Sequence, residues 1–386
     1  MSLRILTIIG TRPEAVKMAP VIHELRRTPG IESLLCVTGQ HREMLDQVLS
    51  LFNIIPDIDL NIMRPRQTLA KLTSAVFSRL DPVLSNLTPD WVLIQGDTTT
   101  VMATSLLAYY HHTKIGHIEA GLRTGDKWQP FPEEVNRRVA SVVTDLHFAP
   151  TEWSRQNLIR ENIPDRQILV TGNPVIDALQ SIAKMPPNDA VQALLTRLRL
   201  ESADEQPQSP NVGSARIILV TAHRRENFGE PLMNICSALR QLAELYGDTL
   251  RIIYPVHLNP NVWQPVHRLI ADLPNISLLR PLPYLSWVHL MKRATLILTD
   301  SGGLQEEAPG LGIPVLVMRQ VTERPEGIQA GTVRLVGTQT ERIVQETRRL
   351  LEDPQAYIEM AHAANPYGDG HAAPRIVKGI LEYQDS

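Results

Sequence analysis

Short polar clusters follow apolar runs along this sequence, and they hold the residue types that do chemistry. Thr11-Arg12 follows "RILTIIG", Gly96-Asp97 follows "WVLIQ", and Glu119 follows "KIGHI". His223-Arg224-Arg225-Glu226 follows "RIILVTA", His257 follows "LRIIYPV", and Asp300-Ser301-Gly302-Gly303 follows "TLILT". A carboxylate at the end of a buried strand is costly unless it is paired or put to use. Asp97 is therefore a candidate acid or base, with capping of the next helix as its structural alternative. His223, followed by two arginines, would serve as a cation toward phosphate, although a lone histidine is more often structural. In "DSGGLQEE", Ser301 would cap a helix whose amides bind phosphate, and Glu306 or Glu307 would accept hydrogen bonds from sugar hydroxyls. A capped helix with acidic residues complementing its dipole explains the same residues. "PFPEEVNRRVA" places Glu133 with Arg137 and Glu134 with Arg138 at i,i+4, the spacing of surface ion pairs. Carboxylates mixed with cations suit an anionic substrate undergoing proton chemistry.

These residues need elements to hold them. "RILTIIG", "IESLLCV", "DWVLIQGD", "KIGHIEA", "LHFA" and "QILVTG" read as buried strands, alternating with helical segments such as Pro13 to about Arg27, "REMLDQVLSLF" and "TSLLAYY". A second set begins after about residue 214, with "RIILVTAH", "LRIIYPV", "ISLLRPL", "TLILTD" and "PVLVM" as strands. Continuous apolar strands separated by helices imply parallel sheets covered on both faces. The expected fold class is α/β, two doubly wound Rossmann-like domains with a cleft between them. The expected ranges are 1–172 and 173–367, with the last helix, about 368–386, packing back on the first domain. Ligands of such sheets sit beyond the carboxyl ends of the strands, where the polar clusters lie. Pro186 to Gly213 interrupts the pattern and reads as a polar insertion, most marked over 202–214.

The chain has 386 residues, 43% of them hydrophobic, and a formal net charge of -3. No global positive field draws it to nucleic acid or to an anionic membrane. Cys36 and Cys236, the two cysteines, are too few for a disulfide framework or a cysteine zinc site. There is no signal-peptide-like apolar segment and no run of about 18 apolar residues, so a cytoplasmic protein is expected. HExxH, EF-hand, GxGxxG and GxxxxGK[ST] patterns do not occur. Metal, dinucleotide and P-loop readings lose their main support. "IIGTRPEAVKMAPV" looks like a phosphate loop but has a single glycine. Arg12 and Lys17, five residues apart, meet on one ligand only if Arg12 reaches back from the loop.

"GTRPEAVKMAPV", "TGQHREMLDQVL", "QGDTTT", "HIEAGLRTGD", "FPEEVNRR", "VTAHRREN", "YPVHLNPNV", "LTDSGGLQEEAPGLGIPVLVMR", "TERPEG" and "NPYGDGHA" together resemble the non-hydrolysing UDP-N-acetylglucosamine 2-epimerases. They stand in family order over nearly the whole chain. The resemblance implies a GT-B-like fold, a homodimer, and reversible interconversion of UDP-GlcNAc and UDP-ManNAc without cofactor or metal, supplying surface-polysaccharide synthesis. It implies loss of the C2 proton coupled to departure of UDP, a 2-acetamidoglucal intermediate, and re-addition of UDP with protonation from the other face. Asp97, Glu119 and Glu133 would share the acid/base and sugar-positioning roles, and His223 would stabilise the departing diphosphate. Arg12, Lys17 and Arg137 would surround phosphate or sugar; Ser301, Gly302 and Gly303 would bind phosphate, Glu307 the ribose, and Arg324 the substrate. Leu282 and Trp287 would contact uracil, although Trp287 reads equally as core. Relatives that bind a second UDP-GlcNAc as activator suggest Gln40, Glu43, Arg66, Gln67, Arg224 and His257 for an allosteric site. Glu43 departs from the Gln of some relatives, which weakens that expectation. A hydrolysing epimerase, a GT-B glycosyltransferase and a non-catalytic UDP-sugar sensor are the alternatives. A sensor could dispense with Asp97, Glu119 and Glu133, and all three are present.

Overall fold

The computed structural model describes residues 2–39, 42–64, 67–200 and 215–383. They form two units, Met1–Ala178 with Tyr367–Ser386, and Leu179–Pro366.

In the first unit, β1 (Leu3–Ile9), β2 (Ile31–Val37), β3 (Ile58–Asp59), β4 (Trp91–Gln95), β5 (Lys114–Ile118), β6 (Leu146–Ala149) and β7 (Ile168–Val170) make a sheet in the order β3-β2-β1-β4-β5-β6-β7. All of its pairings are parallel. In the second unit, β8 (Arg216–Thr221), β9 (Leu250–Pro255), β10 (Ile276–Leu279), β11 (Leu296–Thr299), β12 (Val315–Val317) and β13 (Val333–Leu335) make a parallel sheet in the order β10-β9-β8-β11-β12-β13. Each unit is doubly wound, as the alternation predicts. The strand order reverses at β1/β4 in one and at β8/β11 in the other, and such switch points open crevices at the strands' carboxyl ends.

The central strands are hydrocarbon on both faces. Ile5, Leu6 and Ile9 of β1 and Val92 and Leu93 of β4 have no solvent exposure. Helix Arg12–Arg27 covers β1 with Ala15, Met18, Val21, Ile22 and Leu25, all buried. Its start is set by Thr11 and Glu14 in a capping box, and Arg26 and Arg27 complement the dipole in the last turn. The edge strands β3 and β13, two and three residues long, are too short to leave a period in the sequence and were not anticipated. The polar stretch after Pro186 contains a helix, Asp189–Arg197, capped by Asn188 and burying Val191, Leu194 and Leu195. Residues 201–214, the rest of the expected insertion, lie outside the described residues. No helix among the described residues is long and apolar enough to cross a membrane.

The C-terminal helix Ala372–Glu382 belongs to the first unit and packs on helix Arg12–Arg27. Asp177 receives its first amides, Ala372 N–H at 3.2 Å and Ala373 N–H at 2.9 Å. A side chain nearly 200 positions earlier in the chain thus does the work of an N-cap.

His117 and His147 stand opposite each other on β5 and β6 and are fully buried. Burial is the main cause that lowers them to about 4 and about 3; a carbonyl contact opposes it in each case, from Gly96 O to His117 and from Gln167 O to His147. Unfolded imidazoles take up protons below about 6.5, while the folded ones stay neutral until these lower values. Between about pH 6.5 and pH 4 the unfolded chain therefore binds more protons, so stability falls as pH falls. Urea unfolding at stepped pH is expected to show that slope, and His147→Gln to flatten it; an unchanged slope in the variant would rule out this source.

Candidate functional site

β4 ends at Gln95 and delivers Asp97 two residues later. Thr98, not Asp97, caps helix Thr99–Tyr110, its side chain accepting from Val101 N–H at 3.3 Å. The Asp97 carboxylate instead meets Arg137, Nη2 to Oδ2 at 2.5 Å, and Asn136 Nδ2 donates to the Asp97 carbonyl at 2.9 Å. The Asp97 side chain is 27% exposed and that of Arg137 only 6%. A buried cation thus holds a carboxylate that still reaches solvent, which is the arrangement an accessible base requires.

β5, next to β4, delivers Glu119. The residue is buried and has φ 64°, a left-handed conformation that costs a non-glycine residue about 1–2 kcal/mol. Three donors converge on its carboxylate: Lys17 Nζ at 2.5 Å, Asn173 Nδ2 at 2.9 Å, and Gln95 Nε2. Gln95 and Asn173 were not foreseen as site residues. Their partner is fixed by the sheet, and no local pattern announces it.

Helix Glu133–Val143 supplies the third expected carboxylate. Glu133, its first residue, is half-buried. The i,i+4 spacing does not make an exposed ladder, because Glu134 turns inward. Glu134 is fully buried and accepts from Thr124 N–H at 3.1 Å and Gly125 N–H at 3.2 Å, and it pairs with Arg137 at 3.2 Å and with Arg138 at 3.6 Å. Glu134 therefore ties the loop after Glu119 to the arginine that holds Asp97.

The "GTRPE" turn is filled from within. Glu14 Oε2 accepts the amides of Gly10 at 2.5 Å and Thr11 at 3.0 Å, the groups a phosphate loop would turn toward its ligand. Arg12, at the start of the same helix, is half-buried. Lys17 one turn on is engaged by Glu119.

In the second unit, β11 ends at Thr299 and delivers Asp300, wholly buried. Its Oδ2 accepts the amides of His223 and Arg224, each at 2.8 Å, and Asn227 Nδ2 at 3.0 Å. Its Oδ1 lies 3.6 Å from His223 Nδ1. Asp300 thus sets the turn after β8 that carries the imidazole, and the ring stacks on His257 with centres 5.6 Å apart. The side chain of His223 is 39% exposed. Loss of hydration on its protein-facing side lowers its pKa; Asp300 opposes this, and Arg224 and His257 add to it.

Ser301 does not cap the next helix. Leu304–Glu307 is four residues long, begins at Gly303 and has no side-chain cap; Ser301 N–H donates to Thr299 Oγ1 at 2.9 Å. Arg324 backs this turn. A Cβ on Gly302 would lie 2.5 Å from Arg324 Nη1, so only glycine admits the guanidinium so close. Arg324 is held in turn by buried Glu306 and by Glu323 at 2.6 Å. Although burial opposes it, the charges of Arg324 and Arg319 hold the Glu323 carboxyl far below the usual range. Tyr284 O–H donates to Glu307 at 3.0 Å. Leu282 is half-buried just before helix Tyr284–Met291, and Trp287 is buried within it.

Of the expected allosteric positions, Gln40 and Arg66 lie outside the described residues, as does the side chain of Glu43. Gln67 bonds locally, accepting from Arg64 N–H at 3.2 Å. Arg224 and His257 stand with His223 at the ends of β8 and β9. No group of three or more His, Cys, Asp or Glu among the described residues is placed to hold a metal ion.

Two doubly wound parallel units with polar residues massed at the strand ends define a GT-B-like α/β protein. The sequence profile of the UDP-N-acetylglucosamine 2-epimerase family matches residues 23–381, and the chain belongs to that family. It is 53% identical to UDP-N-acetylglucosamine 2-epimerase of Salmonella typhimurium over 385 residues, which is 100% of both chains. Its structure resembles that of UDP-GlcNAc 2-epimerase from Neisseria meningitidis bound to UDP-GlcNAc, with TM-score 0.88 and 48% identity, over 99% of this chain and 100% of that one. It also resembles the Methanocaldococcus jannaschii UDP-GlcNAc 2-epimerase in complex with UDP-GlcNAc and UDP, with TM-score 0.80 and 32% identity, over 99% and 100% of the two chains.

The Lys17–Glu119 pair, whose side chains are 13% and 5% exposed, gives a stability test. Lys17→Met leaves a buried carboxylate without its cation and is expected to cost about 3–5 kcal/mol. Adding Glu119→Gln should recover much of the loss, because neither charge then remains. Chemical denaturation of the two variants checks this, and a double variant no more stable than the single one would refute it.

Proposed function

We propose that this protein is a non-hydrolysing epimerase that interconverts UDP-GlcNAc and UDP-ManNAc by inverting C2 of the sugar. The observation that carries the reading is the pair of strand-end carboxylates, Asp97 held by Arg137 and Glu119 held by Lys17, in a chain of this family. The C2 hydrogen is only weakly acidic, so its removal needs a partner step. As a carboxylate takes the C2 proton, the C–H electron pair forms the C1–C2 double bond and the C1–O bond breaks toward UDP. The products are a 2-acetamidoglucal and UDP. Reversal with proton delivery to the opposite face of C2 gives the epimer, with no net change in atoms or electrons.

Inversion needs proton donors on both faces, and Asp97, Glu119 and Glu133 are the groups assigned to that work. The leaving group carries its charge on the diphosphate. His223, Arg12 and Arg324, with the Ser301-Gly302-Gly303 turn, are assigned to it, and Glu307 to the ribose hydroxyls. The turn that carries His223 is fixed by Asp300 through the amides of His223 and Arg224, which limits reorganisation as charge develops. A diphosphate beside the ring favours its protonated form, opposing the lowering that burial causes. Leu282 and Trp287 are assigned to uracil. The UDP-ManNAc formed would feed polysaccharide synthesis, and the acting species would be a cytoplasmic homodimer.

Incubation with UDP-GlcNAc in deuterated water, followed by NMR, separates the possibilities. UDP-ManNAc carrying deuterium at C2 is the expected result. Free ManNAc with UDP would indicate a hydrolase, and absence of C2 exchange would refute proton chemistry. Asp97→Asn should slow exchange by about 10²–10⁴-fold, the usual worth of a general acid or base, with UDP binding retained. Near-normal exchange would remove Asp97 from the mechanism.

A further inference from the structure

Glu14 has no assigned role in the chemistry, yet it is placed among the groups that carry it. It is 3% exposed. One carboxylate oxygen, Oε2, is taken by the amides of Gly10 and Thr11. The other, Oε1, is buried with no hydrogen-bond partner. Around the same turn lie the buried hydroxyls of Thr38 and Thr100, also without hydrogen-bond partners. A Cβ on Gly10 would fall 2.5 Å from Thr38 Oγ1, 3.0 Å from Thr100 Oγ1 and 3.6 Å from Glu14 Oε2. Three strands thus bring the segments that follow them to one point: β1 through Gly10, β2 through Thr38, and β4 through Thr100, three residues after Asp97 in the first turn of helix Thr99–Tyr110. A carboxyl with one bonded and one unbonded oxygen can hold its proton on the unbonded one without breaking the turn.

Electrostatics agree with this geometry. Burial raises Glu14 to about 7; the Gly10 amide, the Thr98 side chain and the Thr11 amide act against that, and the negative charge of Asp97 adds to it. On the helix of Glu14 are Arg12 and Lys17, the latter paired with Glu119 at the end of β5; helix Glu133–Val143 supplies Arg137, on Asp97. β2 presents the neutral Thr38. His117 on β5, lowered to about 4, titrates well below the range concerned.

We propose that Glu14 is a positioning residue of the proton-transfer centre, acting through Asp97: neutral, it leaves Asp97 with Arg137 alone; ionised, it adds a second negative charge behind it. This inference rests on the epimerase reading for its catalytic part. The charge state of Glu14 then enters the pH dependence of C2 exchange as a step of its own.

Two measurements test it. Infrared difference spectra of ligand-free wild type against Glu14→Gln, at about pH 6 and about pH 8, one unit either side of the titration, should show a protonated carboxyl band that is lost at the higher pH. A carboxylate already ionised at the lower pH overturns the proposal. The pH profile of C2 deuterium exchange should carry an inflection near neutrality that Glu14→Gln removes. Glu14→Asp, which keeps a titratable group but retracts it from the Gly10 amide, should shift that inflection and serves if the glutamine variant does not fold. An inflection unmoved in these variants overturns the role of Glu14 alone. Wild type with no exchange at any pH, despite the infrared titration, overturns the epimerase reading and the positioning role with it.

Discussion

The structure of the first unit turns on keeping a carboxylate charged inside hydrocarbon. β4 is buried along its length and β5 from Ile115 onward, and Glu119 emerges at the end of β5 with little access to water. A lone ionised carboxylate there would be strongly disfavoured. Lys17, Gln95 and Asn173 answer that cost with donors from three different elements. The parallel sheet makes this possible, because every strand ends on the same edge and residues far apart in sequence become neighbours. The left-handed backbone at Glu119 belongs to the same solution. It turns the side chain back toward those donors, and strain of that kind persists only where the surroundings over-determine it.

The second unit meets a similar problem with few formal charges. Asp300 is more deeply buried than Glu119, but its donors are two backbone amides and a side-chain amide. Those amides belong to the turn that carries His223, so holding the carboxylate also fixes the backbone from which the imidazole projects. Arg324 is the converse case: a buried cation held by Glu306 and Glu323 and pressed against Gly302. Both devices fix dipoles and charges before a ligand arrives. Preorganisation of that kind is what makes electrostatic stabilisation effective in a site shielded from water.

The strands were legible because burial on both faces writes an uninterrupted apolar run; "IESLLCV" and "LHFA" coincide with β2 and β6. The polar residues at strand ends were legible for the same reason, standing out where each run stops. What sequence could not supply was direction and partner. Glu134 reads as a surface ion pair from its spacing, yet it turns inward, since the loop amides after Glu119 need an acceptor. Ser301 has the residue type of a cap, but its amide is drawn back to Thr299 and the helix starts later. Asn173 bonds across 54 positions to Glu119, and nothing local marks it.

"GTRPEAVK" shows how a motif's likeness can mislead about which atoms matter. A strand, a glycine and a helix suggest amides waiting for phosphate. Here a carboxyl group three residues into the helix already occupies them, and an incoming phosphate would have to displace it from both amides. Any anion near this helix must therefore be met by side chains, and of the two cations in the motif Lys17 is already on Glu119. An anion that drew Lys17 away would leave the Glu119 carboxylate with the neutral amides of Gln95 and Asn173. Anion binding at this turn and the charge balance of the buried carboxylate are thus coupled through one lysine. That coupling exists only because Glu14 has closed the backbone route.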